Sequence, residues 1–223
     1  MKRILPAILL IGCVGTDVGN PQDEPQVDLT VTLETDFETK AQALTHEGYT
    51  IEIAEATLES IELRKSCESA EAAVTQGPFN LNLLMSEEVA VNNQGSGTYC
   101  RASLAFGASK KPDERWLYVE GTLPNDNSFT IKAVRSELFI FNGRNNFVVD
   151  AEGTSLNLRF DVIGWLKTVE LPDESPLVIS EDSNVPLYQQ FRQALKRDAK
   201  LLKDNRRDPL NPDWVPVADI TLP

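Results

Sequence analysis

From residue 27 onward the chain alternates apolar and polar residues with a period of two. Val27, Leu29, Val31 and Leu33 alternate with Asp28, Thr30, Thr32 and Glu34. Such alternation predicts a strand with one face buried. Tyr49, Ile51 and Ile53 repeat the pattern, followed by Ala56 and Leu58, then Ile61 and Leu63. The phase slips between Leu58 and Ile61, which predicts a bulge or break there. Residues 54–64 also suit a helix by composition, since Ala, Glu and Leu are good helix formers. The clean alternation of Ile61-Glu62-Leu63-Arg64 favours the strand.

Further strands are predicted at short intervals. Phe79, Leu81 and Leu83 follow a Gly77-Pro78 turn signal, and a short piece holds Val89 and Val91. Cys100, Ala102, Leu104 and Phe106 share one phase, and Trp116 to Val119 is another apolar piece. Phe129, Ile131 and Ala133 alternate, Leu138 to Phe141 is apolar on both faces, and Phe147 and Val149 precede Gly153. Leu156, Leu158, Phe160 and Val162 complete the series. Turn signals separate them at Asn92-Asn93-Gln94-Gly95, Lys111-Pro112-Asp113, Pro124-Asn125-Asp126-Asn127 and Asn142-Gly143. Many short strands joined by polar turns predict a mainly β fold, an antiparallel β-sandwich or barrel. No helical pattern separates the early strands, which disfavours a βαβ arrangement.

The C-terminal part changes period. Leu187, Phe191, Leu195, Ala199 and Leu202 are spaced by four, four, four and three. This predicts one amphipathic helix over about 184–204, packed on the sandwich, with Ser183 or Asn184 as its cap. Asn205 and Pro209 would end it, and a Pro-rich tail follows with Trp214 and Val215 as docking residues. Residues 27–223 are thus read as a single β-sandwich domain.

The first residues follow neither period. MKRILPAILLIGC has a positive start at Lys2 and Arg3 and a short apolar run from Ile4 to Ile11. A membrane span needs about 20 apolar residues, so residues 1–12 read as a signal peptide. Leu10-Ile11-Gly12-Cys13 resembles the bacterial lipobox. That resemblance implies cleavage before Cys13 and acylation of its sulfur and new amino group. Several acyl chains give stable anchoring, at about 0.8 kcal/mol per buried CH₂. An ordinary secretory signal with a chance cysteine is the plainer alternative. Val14 after the cysteine, rather than Asp, favours the outer membrane in the sorting rule of such proteins. Residues 14–26, VGTDVGNPQDEPQ, have a tether composition, so 13–26 reads as a lipidated cysteine and flexible linker.

Charge narrows the partners. The formal net charge is −13, and loss of residues 1–12, which carry Lys2 and Arg3 and no acid, takes it to −15. Nucleic-acid binding needs clustered cations, so it is disfavoured. The only basic cluster is Lys196, Arg197, Lys200, Lys203, Arg206 and Arg207. It could meet an anionic headgroup, polysaccharide or acidic partner. Compensation of the helix dipole and solubility is the simpler account.

The chemistry-bearing residues are few. With Cys13 set aside, Cys67 and Cys100 remain, and an exported domain usually closes such a pair. A redox or metal role lacks CxxC spacing. The one histidine, His46, lies in a polar stretch and has no second histidine to share a metal. The acidic pairs Asp173-Glu174 and Glu181-Asp182 could gather a weak calcium ion, though solvated carboxylates are commoner. The segment from Asp204 fails the calcium-loop pattern, having Arg206 and Pro209 where an oxygen ligand and Gly belong. No metal or cofactor is implied. No GxSxG, HExxH, GxxxxGK[ST] or GxGxxG motif occurs. Trp116 and Tyr118 share one strand face and form the best candidate platform for stacking on a sugar, against the commoner fate of tryptophan in a core.

The order of several segments resembles bacterial lipoproteins that share a β-sandwich domain without an assigned activity. They run from Cys13-Val14-Gly15-Thr16 and the Ile53 to Leu63 region through Gly77-Pro78-Phe79-Asn80-Leu81-Asn82-Leu83 and Gly97-Thr98-Tyr99-Cys100. Leu156 to Val162, leading into Gly164-Trp165-Leu166, completes the order. The resemblance implies a lipid-anchored sandwich of carbohydrate-binding-like or transthyretin-like type, with no catalytic residue to carry over.

Three functions are weighed. The first is a noncatalytic, lipid-anchored module at the outer membrane for binding, adhesion or structure, with an envelope protein or polysaccharide as partner. The second is a hydrolase of envelope polysaccharide, which needs two carboxylates about 5–10 Å apart in a cleft. The third is a sugar-binding sandwich using Trp116 and Tyr118.

Overall fold

The computed structural model describes residues 27–33, 38–40, 43–68, 72–85, 87–91, 95–107, 115–150, 153–204 and 214–220. Cys13, the predicted tether, the predicted turns at 92–94 and 111–113, Asn205, Arg206, Arg207 and Pro209 lie outside them. The strands are β1 (Val27–Leu33), β2 (Glu38–Lys40), β3 (Ala43–His46), β4 (Tyr49–Arg64), β5 (Ala73–Asn82), β6 (Glu88–Val91) and β7 (Gly97–Phe106). They continue as β8 (Leu117–Thr122), β9 (Ser128–Ala133), β10 (Glu137–Val149), β11 (Thr154–Phe160), β12 (Leu177–Ile179), β13 (Lys200–Asp204) and β14 (Trp214–Ile220). The helices are α1 (Val162–Thr168) and α2 (Val185–Asp198).

The protein is a mainly β sandwich, as its alternation predicts. One sheet has the order β6-β1-β11-β13-β14, and the other contains β10, β7, β4, β8, β9 and β12, with β5 and β3-β2 along β4. β14 joins them: it pairs with β13 through Trp214 to Ala218 and with β10 through Asp219 and Ile220. Pairing is mostly antiparallel, but β1 runs parallel to β11 and β12 parallel to β9. These contacts join segments far apart in sequence, which no local pattern encodes.

The core is where the apolar phases meet. Val27, Leu29, Val31 and Leu33 of β1 and Ala102, Leu104 and Phe106 of β7 are all buried in one core cluster. Phe106 contacts Trp116 at 5.2 Å, Phe139 at 5.5 Å and Phe160 at 5.8 Å between ring centroids. Tilted and edge-on rings of this kind add to the area they bury.

Strand β4 organises the second sheet. Residues 54–64 are strand rather than helix, and the register slips between Leu58 and Ser60, at the predicted break. One edge of β4 pairs first with β8, through Ala56, and then with β7, from Leu58. The other edge carries β3 and β5. The sheet therefore forks at Thr57, whose N–H donates to Trp116 O (2.7 Å) and whose carbonyl accepts from Gly107 N (3.3 Å). Gly77-Pro78 is not the predicted turn but lies inside β5 opposite this slip. A Cβ at Gly77 would sit 2.5 Å from Leu58 O, so only glycine allows the strands this close. Asn142-Gly143 likewise does not end a strand; β10 runs through it with a register shift between Asn142 and Phe147.

Cys67 and Cys100 form a disulfide, with Cα atoms 5.9 Å apart. It ties the end of β4 to its neighbour β7, beside the Arg64–Arg101 pair.

The helical prediction needs two corrections. α2 ends at Asp198, not near 204; Ala199 turns extended (ψ 133°) and residues 200–204 form β13. Leu201 pairs with Leu158, so burial in the sheet overrides the coincidental spacing of Ala199 and Leu202. Asn184 occupies the cap position in a left-handed conformation, but its amide donates to Glu174 and Val178 O rather than capping the helix. α1 falls on residues read as the end of a strand. Asp161 caps it by accepting from Gly164 N (2.7 Å), and Trp165 meets Phe191 of α2 at 4.9 Å.

Candidate functional site

Alternation on β4 sends Ala54, Ala56 and Leu58 inward and leaves Glu55 and Thr57 on the outer face. β5 buries Leu81 and turns Asn80 and Asn82 outward. β8 buries Leu117 and Val119 and turns Tyr118 and Glu120 outward. Register then aligns Asn82, Glu55, Tyr118 and Lys132 in one row across β5, β4, β8 and β9. Thr57 and Asn80 form the next row, and Thr57 Oγ1 donates to Asn80 Oδ1 (3.3 Å).

Asn82, Glu55 and Tyr118 of the first row and Thr57 and Asn80 of the second line a groove of roughly 600 Å³ at the fork of the sheet. That volume is in the range of pockets that hold small organic ligands. Glu87 and Arg115 close its sides. The wall at β5 is braced: Asn82 N donates to Glu87 Oε2 (3.1 Å), and Leu84 N donates to Asn82 Oδ1 (3.0 Å). The Arg115 guanidinium lies 3.3 Å from the Tyr118 ring centroid, and Lys132 Nζ lies 5.9 Å from it.

The Tyr118 hydroxyl donates to Glu120 Oε2. That bond favours the protonated phenol, so the Tyr118 pKa lies above 10.0; partial burial and the Glu120 charge add to the rise, and Arg115 opposes it. Glu120→Gln is expected to bring the Tyr118 titration back toward 10.0, followed by the ring Cζ shift against pH. An unchanged midpoint would place the cause elsewhere.

The platform of Trp116 and Tyr118 is half corrected. Tyr118 is partly exposed at the groove, but Trp116 is fully buried in the core. The chain bends at Trp116 before β8 begins, so residues 116 and 118 do not share a face despite their parity. The Trp116 backbone N–H donates to Ala133 O (2.9 Å), fixing the bend between β9 and the fork.

The basic cluster is dispersed. Lys196 pairs with the buried Glu137, Arg197 with its neighbour Asp198 (2.6 Å), and Lys203 with Asp150 (3.3 Å). Lys200 and Lys203 point to opposite faces of β13. Arg206 and Arg207 of the cluster lie outside the described residues. The acidic pairs serve the loops instead. Asp173 accepts from Asn127, Glu174 from Asn184, and Glu181 from Val134 N, Arg135 N and Tyr188. His46 sits 3.2 Å from Glu47. Among the described residues no three His, Cys, Asp or Glu side chains gather as metal ligands.

Sequence reasoning missed Glu55, Thr57, Asn80, Asn82, Glu87 and Arg115. The available signal was the use of amides on the outer face of β5. Their convergence with Glu55 and Tyr118 depends on strand pairing.

The chain matches no family model, no characterised protein and no solved structure.

Proposed function

We propose that this chain is a noncatalytic binding module of the bacterial cell envelope, held at the outer membrane by acyl chains on Cys13. The observation that carries the reading is a braced polar groove on a domain whose first thirteen residues have the form of a lipoprotein signal. The Cys67–Cys100 bridge fits an exported chain, because disulfides persist in oxidising compartments. The Gly, Pro, Asp and Gln composition of residues 14–26 suits a linker between the anchor and the groove.

Metabolic labelling with an alkyne fatty acid tests the anchor. Wild-type protein is expected to take up label and fractionate with membranes, and Cys13→Ser to do neither. Label or membrane association persisting in that variant would overturn the anchor.

Glu55 and Glu87 both line the groove, which brings the hydrolase reading to the same place. Incubation with purified envelope polysaccharide is expected to release no reducing ends. Release that Glu55→Gln or Glu87→Gln abolishes would overturn the noncatalytic reading.

A further inference from the structure

We propose that the groove over the β4 fork binds a neutral saccharide chain, an inference that rests on the binding-module reading and names its ligand. Three features point to this class. The first is the balance of hydrogen-bonding groups. Glu55 and Glu87 offer acceptors, while the Asn80 amide and the Arg115 guanidinium offer donors, all on one outer face. A hydroxyl both donates and accepts, so a polyol can satisfy both sets at once.

The second feature is charge. Two carboxylates in the groove and a net charge of −13 repel a polyanion. A polycation would meet Arg115 and Lys132 beside Tyr118. A neutral ligand meets neither opposition.

The third is Tyr118 itself. It is an aromatic ring left partly exposed on a sheet face, at the middle of a polar row. Arg115 now covers it. On binding, the apolar C–H face of a sugar ring replaces the guanidinium on the aromatic face. The freed N–H donors of Arg115 then turn to the sugar hydroxyls. The groove crosses β5, β4 and β8, two strand spacings or about 10 Å, so the ligand lies across the strands rather than inside the sandwich.

Calorimetric titration of the full-length protein in detergent micelles tests this, with a neutral glucan hexasaccharide, an N-acetylglucosamine hexamer and an oligogalacturonate of equal length. Saturable binding of at least one neutral oligomer is expected, with no binding of the uronate. Tyr118→Ala is expected to weaken that binding about tenfold, a loss of ~1.4 kcal/mol. Tyr118→Phe, which keeps the ring, is expected to stay within about threefold, well under 1.4 kcal/mol. Asn80→Ala, at an exposed position remote from the core, is expected to weaken it as well and guards against a folding defect in Tyr118→Ala. No saturable binding of either neutral oligomer, preference for the uronate, or wild-type affinity retained in both Tyr118→Ala and Asn80→Ala would overturn the proposal. Cys13→Ser is expected to bind the oligomer as wild type does, so failure of the anchor and failure of the saccharide reading are separately visible.

Discussion

Trp116→Ala is expected to lower the unfolding free energy by about 3–5 kcal/mol, the range for deleting a large aromatic from a packed core. Trp116 is fully buried, with Phe106 and Phe139 at 5.2 and 6.3 Å. Its carbonyl also accepts from Thr57 N at the fork, where β8 and β7 part along β4, so loss of the ring opens a cavity in the core next to that fork. Trp116→Phe separates the causes. The indole N–H is buried without a hydrogen-bond partner among the described residues. Phenylalanine keeps a ring and removes that unpaired donor, whose burial is itself costly. Its cost is therefore expected to be about 1 kcal/mol or less, below the alanine range. Urea unfolding followed by far-ultraviolet circular dichroism measures both. Equal losses for the two substitutions would show that the ring does not hold the fork.

Glu137→Ala is expected to cost about 3 kcal/mol, the lower end for breaking a buried ion pair from one side. The Glu137 side chain is 2% exposed and meets Arg192 and Lys196 from successive turns of α2. Removing it leaves both cations without the carboxylate for which they were desolvated; burial already holds the Lys196 pKa below its ordinary value. Both cations keep some solvent access, which limits the loss. The triple substitution Glu137→Met, Arg192→Leu, Lys196→Met is expected to cost far less than the single one, since apolar replacement of a whole buried ionic group is often near neutral. Urea unfolding gives the magnitudes, and amide exchange over residues 188–196 should quicken in Glu137→Ala. An unchanged exchange rate would show that α2 is held by its apolar face alone.

The ion pair also shows how the members of a basic run take separate partners in the fold. In the sequence, six cations within twelve residues resemble a surface patch. In the fold, Lys196 is spent on a carboxylate 59 residues away in sequence, and β13 turns Lys200 and Lys203 to opposite faces. Charge runs report composition locally, whereas the partners of each charge are set by packing.

Strands were legible for a different reason. A half-buried strand writes its orientation into every second residue, so β1, β7 and β11 and their core faces could be read directly from alternation. The bulge in β4 was legible as a slip of phase at Leu58. β13 was not, because Ala199 and Leu202 continue a spacing that also fits a helix. α1 was missed because seven residues are too few for a period to declare itself, although Asp161 ahead of Val162, Ile163, Trp165 and Leu166 carried its cap and stripe.

By itself, the amino-acid order determined the β class, most core faces and the closing of Cys67 on Cys100 as the natural pairing. These depend on neighbours within a strand or on counting. Only the tertiary structure decided that Trp116 is core, that the sheet forks at Thr57, and that Glu55, Asn80, Asn82 and Tyr118 share one groove. Strand order and register join residues tens of positions apart, and no local spacing records which strands will meet.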